Sequence, residues 1–151
     1  MKLTPYNQKR KFSETSEPKG RVKKIPSKKL IFVIQKHQSS HLHYDLRLEM
    51  EGVLASWAIP KEPPRKKGIK RLAIAVEDHP LGYEKFSGEI PKGHYGAGKV
   101  EIWDSGTYKI KEKDKNKIEI IISGKKLKGN YVLVKTNYGS KPEKSWLFMK
   151  I

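Results

Sequence analysis

Apolar residues recur in short runs through most of the chain, and the clearest run keeps a strict period of two. In residues 41–49 (His-Leu-His-Tyr-Asp-Leu-Arg-Leu-Glu) the polar side chains stand at 41, 43, 45, 47 and 49, and the apolar or aromatic ones at 42, 44, 46 and 48. Successive side chains leave a strand on opposite faces, so the alternation predicts a half-buried β-strand. Leu30-Ile31-Phe32-Val33-Ile34, leading into Gln35-Lys36-His37, predicts a buried strand before it. Met50-Glu51-Gly52 reads as a hairpin turn and Val53–Ile59 as the returning strand. The prolines of residues 60–68 exclude a central strand or helix there and predict a loop. Residues 71–76 predict another strand, followed by Glu77-Asp78-His79-Pro80. Residues 82–98 are rich in glycine and read as a shaped loop bordering a site. Residues 98–104, 107–111, 117–123, 130–135 and 145–151 supply further strands, with breaks at Ser105-Gly106 and across 124–129.

There is no internal repeat and no long amphipathic helix. Many short strands at close spacing predict a mainly all-β chain, an antiparallel β-barrel in preference to a sandwich. Residues 1–28 are different: polar, basic and broken by Pro and Gly, as in Lys9-Arg10-Lys11, Glu17-Pro18-Lys19-Gly20 and Lys23-Lys24. They read as a flexible basic arm that orders on a partner or lies across the domain. The expected organisation is an arm over 1–28 and a single domain over 29–151.

The polar row of residues 41–49 is unusual in kind. Lys, Thr or Ser would keep a surface strand soluble, but this row holds two histidines, an aspartate, an arginine and a glutamate. Same-face neighbours lie roughly 6.5–7 Å apart along a strand, close enough to converge on one ion or anion. The five histidines are 37, 41, 43, 79 and 94. Two of them with a carboxylate from neighbouring strands make a site that suits manganese, iron or zinc better than magnesium. Any single histidine, His94 above all, reads more simply as a surface or hydrogen-bonded residue. Arg47, on the same face as Asp45, offers a fork of donors matched to phosphate or carboxylate oxygens. Its ordinary alternative is an exposed pair with Glu49.

The chain has 151 residues, enough for one domain with its own core. It has no cysteine, which excludes disulfides and points to a reducing, intracellular setting. No apolar run suits a signal segment or a bilayer crossing, so a soluble, cytoplasmic protein is expected. Charge adds more: 33 Lys and Arg stand against 16 Asp and Glu, a formal +17. Such an excess attracts polyanions over a Debye length of about 8 Å, which makes nucleic acid the expected partner. A thermophile's lysine-rich surface would carry extra Glu as well, and this chain does not.

Ligands, arginine and basic surface together suit phosphoester hydrolysis, in which a metal polarises the phosphoryl group and cations stabilise transition-state charge. Two rivals use the same residues. His43-x-Asp45 with His79 matches the facial triad of non-haem iron oxygenases, although the charge would then have no purpose. A non-catalytic nucleic-acid-binding barrel would use Trp57, Trp103, Tyr83 and Tyr95 as stacking platforms, although the tryptophans lie in apolar strand patterns that read as core.

Across nearly its whole length the chain resembles the 3′-phosphoesterase module of bacterial DNA ligase D, which also occurs as a stand-alone archaeal protein. The residues that carry the likeness are Gln35-Lys36-His37, residues 42–49, Ser56-Trp57-Ala58-Ile59-Pro60-Lys61 and Lys70-Arg71-Leu72-Ala73. They continue in Val76-Glu77-Asp78-His79-Pro80-Leu81, residues 88–98 and Trp103-Asp104-Ser105-Gly106. The resemblance implies a compact antiparallel β-barrel with short helical segments and the N-terminal arm packed near the active site. It implies a manganese-dependent enzyme, with Co2+ or Zn2+ as other candidate ions, acting as a monomer on primer-template 3′ ends. Such an enzyme removes a terminal ribonucleoside as a phosphodiesterase and then the 3′-phosphate as a phosphomonoesterase. The resulting 3′-hydroxyl serves a separate DNA ligase or polymerase. By position, the resemblance gives the metal to His37, Asp45 and His79. It gives the phosphate to His43 and Arg47, with Lys61 and Arg71 in support and Gln35 and Tyr83 lining the site. In the arm, Arg10 and Glu17 match the family pattern, while Lys11 stands where the family tends to have an acidic residue.

Overall fold

A computed structural model describes residues 3–12, 15–18, 20 and 30–151. Lys19, Lys23, Lys24 and the expected boundary at 28/29 lie outside the described residues. The strands are β1 (Leu30–Gln38), β2 (Leu42–Met50), β3 (Val53–Ile59), β4 (Lys70–Pro80), β5 (Gly88–Ile90), β6 (Gly98–Lys113), β7 (Lys117–Ser123), β8 (Lys128–Lys135) and β9 (Ser145–Lys150). Every pairing between them is antiparallel, in the order β1-β2-β3-β4-β9-β8-β7-β6, and β6 returns to β1. Eight strands thus close a barrel, and β5 adds only to one end of β6. Among the described residues the helical content is one short helix, α1 (Thr4–Gln8), and 3-10 turns at Tyr83–Lys85 and Pro142–Lys144. No helix among the described residues is long and apolar enough to cross a membrane.

The alternation decides which way each side chain points. Phe32 and Ile34 of β1, Tyr44, Leu46 and Leu48 of β2, and Trp57 and Ile59 of β3 belong to one large core with Tyr131 and Phe148. Full burial of one such side chain contributes about 1.5–3 kcal/mol. The opposite faces of the same strands point out of the barrel wall. There a second apolar cluster, with Leu3 and Tyr6 of the arm, Leu54, and Tyr83, Phe86 and Ile90 of the 82–98 segment, roofs part of the outer surface. As a result β2 is buried on both faces rather than one: Asp45 is 6% exposed, and Arg47 and Glu49 are 4% exposed. Leu42 departs from the pattern and is exposed.

Three local features differ from the sequence pattern. First, β4 runs on through Glu77-Asp78-His79-Pro80. Ser56 pairs with Val76 but Leu54 pairs with His79, so Glu77 and Asp78 stand together opposite Ala55. This bulge shifts the phase of the strand, because regular alternation from Val76 would have sent Asp78 outward and His79 into the barrel. Second, β6 is one strand of 16 residues and does not break at Ser105-Gly106. Gly106 is there for close approach: a Cβ would lie 2.2 Å from the Ser123 carbonyl oxygen. Gly106→Ala is expected to destabilise the barrel by about 1–3 kcal/mol through this overlap, measured by chemical denaturation. Third, the break after β7 spans only 124–127, where the Asp104 carboxylate accepts the backbone N–H groups of Lys125, Lys126 and Leu127. The β2–β3 hairpin is as expected; Glu51 (φ 50°) and Gly52 (φ 82°) both take the left-handed backbone that a two-residue turn of this hand requires.

Candidate active site

The outward rows of four adjacent strands meet beneath the arm and the 82–98 segment. In the ladder His37 stands opposite His43, and Gln35 opposite Asp45. Asp45 in turn faces Ala58 of β3, and the bulge in β4 brings His79 to the same side. Arg10, His37, His43, Asp45, Arg47, His79 and Tyr83 all line one cavity of ≈ 220 Å³.

Hydrogen bonds to backbone carbonyls define the histidine tautomers, because a carbonyl only accepts. His37 donates from Nε2 to the Gly96 oxygen at 2.7 Å, leaving Nδ1 a bare lone pair. His43 donates from Nδ1 to the His41 oxygen at 3.1 Å, leaving Nε2 bare. Both bare nitrogens face the Asp45 carboxylate, at 3.7 Å and 3.4 Å. Burial alone would raise the Asp45 carboxyl, but the Arg47 guanidinium holds it well below the usual carboxylate range. Three Lewis bases therefore converge within 4.8 Å of one another, an arrangement that asks for a cation between them. The backbone anchoring of each ring's other nitrogen is the support that metal-binding imidazoles use. The residues present fit a divalent transition ion.

The second half of the cavity is cationic. Arg47 approaches Asp45 at 3.4 Å, donates from Nε to Gln35 Oε1 at 2.7 Å and lies 5.0 Å from the centre of the Tyr83 ring. Its Nη1 is buried and has no hydrogen-bond partner among the described residues. Gln35 is itself clamped by the Tyr83 and Phe86 carbonyl oxygens. From the arm, Arg10 donates to Glu17 at 2.8 Å and to the Tyr6 carbonyl, and Tyr83 also donates to Glu17. Arg10 Nη2 lies 3.2 Å from His79 Nε2. Since guanidinium only donates, that nitrogen is the acceptor and His79 Nδ1 donates to the Glu77 carbonyl oxygen at 3.0 Å. Burial, then Arg47 and Arg10, push the His79 imidazole well below its ordinary value, so the ring is neutral.

Most residues expected at the site lie together here, but their grouping differs. The trio that converges is His37, His43 and Asp45; His79, which the resemblance pairs with His37 and Asp45, sits instead beside Arg10 and Arg47. The β4 bulge orients it but does not bring it into that trio. Arg10 and Glu17 carry the arm onto the site, and Lys11 points to solvent. Lys61 is exposed, Arg71 donates to the Glu62 carbonyl oxygen, and neither lines the cavity. His41 is exposed, and Glu49 accepts the Ile31 N–H, so neither joins the site. Arg47 does not pair with Glu49. Two residues of the matching motifs have no role in the sequence reading. Glu77 meets both Lys9 and Arg10, and Gly96 supplies the carbonyl that sets the His37 tautomer.

The family described as the DNA Ligase D 3′-phosphoesterase domain matches residues 35–135. The multifunctional non-homologous end joining protein LigD of Pseudomonas aeruginosa is 44% identical over 98% of this chain and 18% of its own length. LigD of Mycobacterium bovis is 46% identical over 90% of the chain and 18% of its own length, and that of Mycolicibacterium smegmatis 44% identical over 97% and 20%. The chain thus spans about a fifth of the length of these bacterial relatives. With a closed barrel whose outer wall joins two histidines, an aspartate and an arginine, and with this identity along nearly all of it, the chain belongs to the DNA ligase D 3′-phosphoesterase domain family.

Proposed function

We propose that the chain is a metal-dependent phosphoesterase that cleans DNA 3′ ends for repair, releasing a terminal ribonucleoside and then the 3′-phosphate. The observation that carries this reading is the convergence of the bare His37 and His43 nitrogens on Asp45 beside the unpartnered Nη1 of Arg47. His37, His43 and Asp45 would hold the ion. A divalent ion of the manganese class, Co2+ or Zn2+ included, supplies Lewis-acid polarisation of a phosphoryl oxygen when bound. Arg47 turns its free donor to the phosphate and stabilises the negative charge that grows in the transition state. Arg10 adds a second guanidinium, aimed by Glu17 and stacked 3.8 Å from the Tyr6 ring centre. His79, neutral and accepting Arg10 Nη2 at its Nε2, holds that guanidinium at the cavity wall without adding charge to it. Lys61 and Arg71, at the barrel end next to His43, meet the nucleic-acid backbone outside the cavity. The roof of Tyr6, Tyr83 and Ile90 keeps the reacting centre dry. The product, a 3′-hydroxyl, is what a ligase or polymerase requires.

The test is a labelled primer-template ending in one 3′-ribonucleotide, incubated with chelator-treated protein and then with each divalent metal. The expected result is no cleavage without metal, and sequential 3′-phosphate and 3′-hydroxyl products with manganese. Full activity in the chelated sample, or DNA binding with ends left intact under every metal, would overturn the reading.

A further inference from the structure

A second hollow of ≈ 440 Å³ adjoins the active-site cavity and shares Val76, Glu77 and Tyr95 with it as a common wall. Its character is different. It contains no histidine, and its cations are Lys9, Lys141 and Lys144. Lys9 is committed to Glu77 at 3.3 Å and lies 4.6 Å from the centre of the Tyr95 ring. Lys141 and Lys144 are exposed and make no ion pair among the described residues. Tyr95 is 47% exposed, and Tyr138, on the same loop as the two lysines, is 70% exposed. An exposed ring in the wall of a cationic furrow, Tyr95 here, is a combination by which proteins hold single-stranded nucleic acid: bases stack and the backbone follows the charge.

We infer that this hollow is the track for the DNA strand that carries the reacting 3′ end, holding the nucleotides just upstream of the scissile phosphate. The inference rests on the phosphoesterase reading and adds the direction from which the strand arrives. The departing ribonucleoside has no phosphate beyond the one being cleaved, and Arg47 and Arg10 already serve that one. Two further unpaired lysines call for further phosphates, which only the upstream strand possesses. Tyr95 stands at the shared wall, where a base stacked on it would belong to the nucleotide entering the cavity.

The test measures binding apart from turnover. A 5′-labelled single-stranded oligonucleotide ending in a 3′-hydroxyl is titrated with the manganese-loaded full chain over a range of KCl, for wild type and for Lys141→Gln/Lys144→Gln. Loss of two phosphate contacts should lower the slope of log affinity against log salt by about 1.4. Hydrolysis of bis(4-nitrophenyl) phosphate, which has no upstream strand, should be unchanged in the double variant. Oligonucleotides of two, four and eight residues should bind wild type with rising affinity. An unaltered slope and affinity in the double variant would refute the track, even if 3′-end hydrolysis is confirmed. Conversely, a lowered slope in a chain that hydrolyses nothing would reject the phosphoesterase reading and leave the hollow a strand-binding surface with no reacting end to serve, which overturns the track as stated.

Discussion

Asp45→Asn should abolish metal binding and reduce hydrolysis by about 10³-fold or more, since Lewis-acid stabilisation of a phosphoryl transition state is worth several kcal/mol. The substitution preserves shape and removes charge. It takes away the one anion between two bare imidazole nitrogens and a guanidinium. Stability should suffer too, because Arg47 would be left as a buried, uncompensated cation at a cost of about 3–5 kcal/mol. For a chain of this size that is a fall in Tm of roughly 10 °C. Calorimetric titration with MnCl2 and thermal melts with and without metal separate the two effects: manganese should raise the wild-type Tm and leave that of the variant unchanged. The pH dependence has a definite sign. The folded carboxyl is held below its unfolded value, so its contribution is complete above about pH 4 and is lost only as pH falls further. Metal-free wild type should therefore show no loss from this group between pH 5 and 8.

Arg47→Ala should lower kcat/KM by about 10²–10³-fold, the usual cost of removing one preorganised donor to a developing oxyanion. Manganese binding should survive, because none of the three converging bases comes from Arg47. Arg47→Lys is the sharper variant. It keeps the positive charge beside Asp45 but cannot donate to Gln35 and to a phosphate in one plane. If planar donation matters, Lys restores stability and leaves most of the activity missing. Wild-type kinetics in either variant would remove Arg47 from the reaction.

How much of this was legible in the chain depended on whether the residues kept their period. β2 and β3 were readable almost to the residue, because alternation and a Glu51-Gly52 turn specify both face and register. β6 reads as two strands because Gly106 looks like a break; its purpose, the close passage of the Ser123 carbonyl, arises only after the barrel closes. The arm reads as flexible from its charge, since its anchors Leu3, Tyr6 and Phe12 are too few to form a pattern. At the site, period two correctly joined His43, Asp45 and Arg47. It had no means of locating His79, whose direction is set by one extra residue in β4 and whose neighbour Arg10 comes from 69 positions away. The resemblance names His37, His43, Asp45, Arg47 and His79, which line one cavity, but it puts His79 rather than His43 beside His37 and Asp45.

The reacting groups stand on the outside of a wall whose inside is the hydrophobic core, and the same strands serve both. Leu46 lies between Asp45 and Arg47 in sequence but faces the opposite way. Engineers of this domain can therefore treat alternate residues as two nearly independent alphabets. Inward positions such as Phe32, Ile34 and Leu48 are open to repacking for heat resistance, with turnover little affected so long as the wall keeps its curvature. The exception is β4, where one deleted residue would exchange the alphabets and turn His79 into the oil.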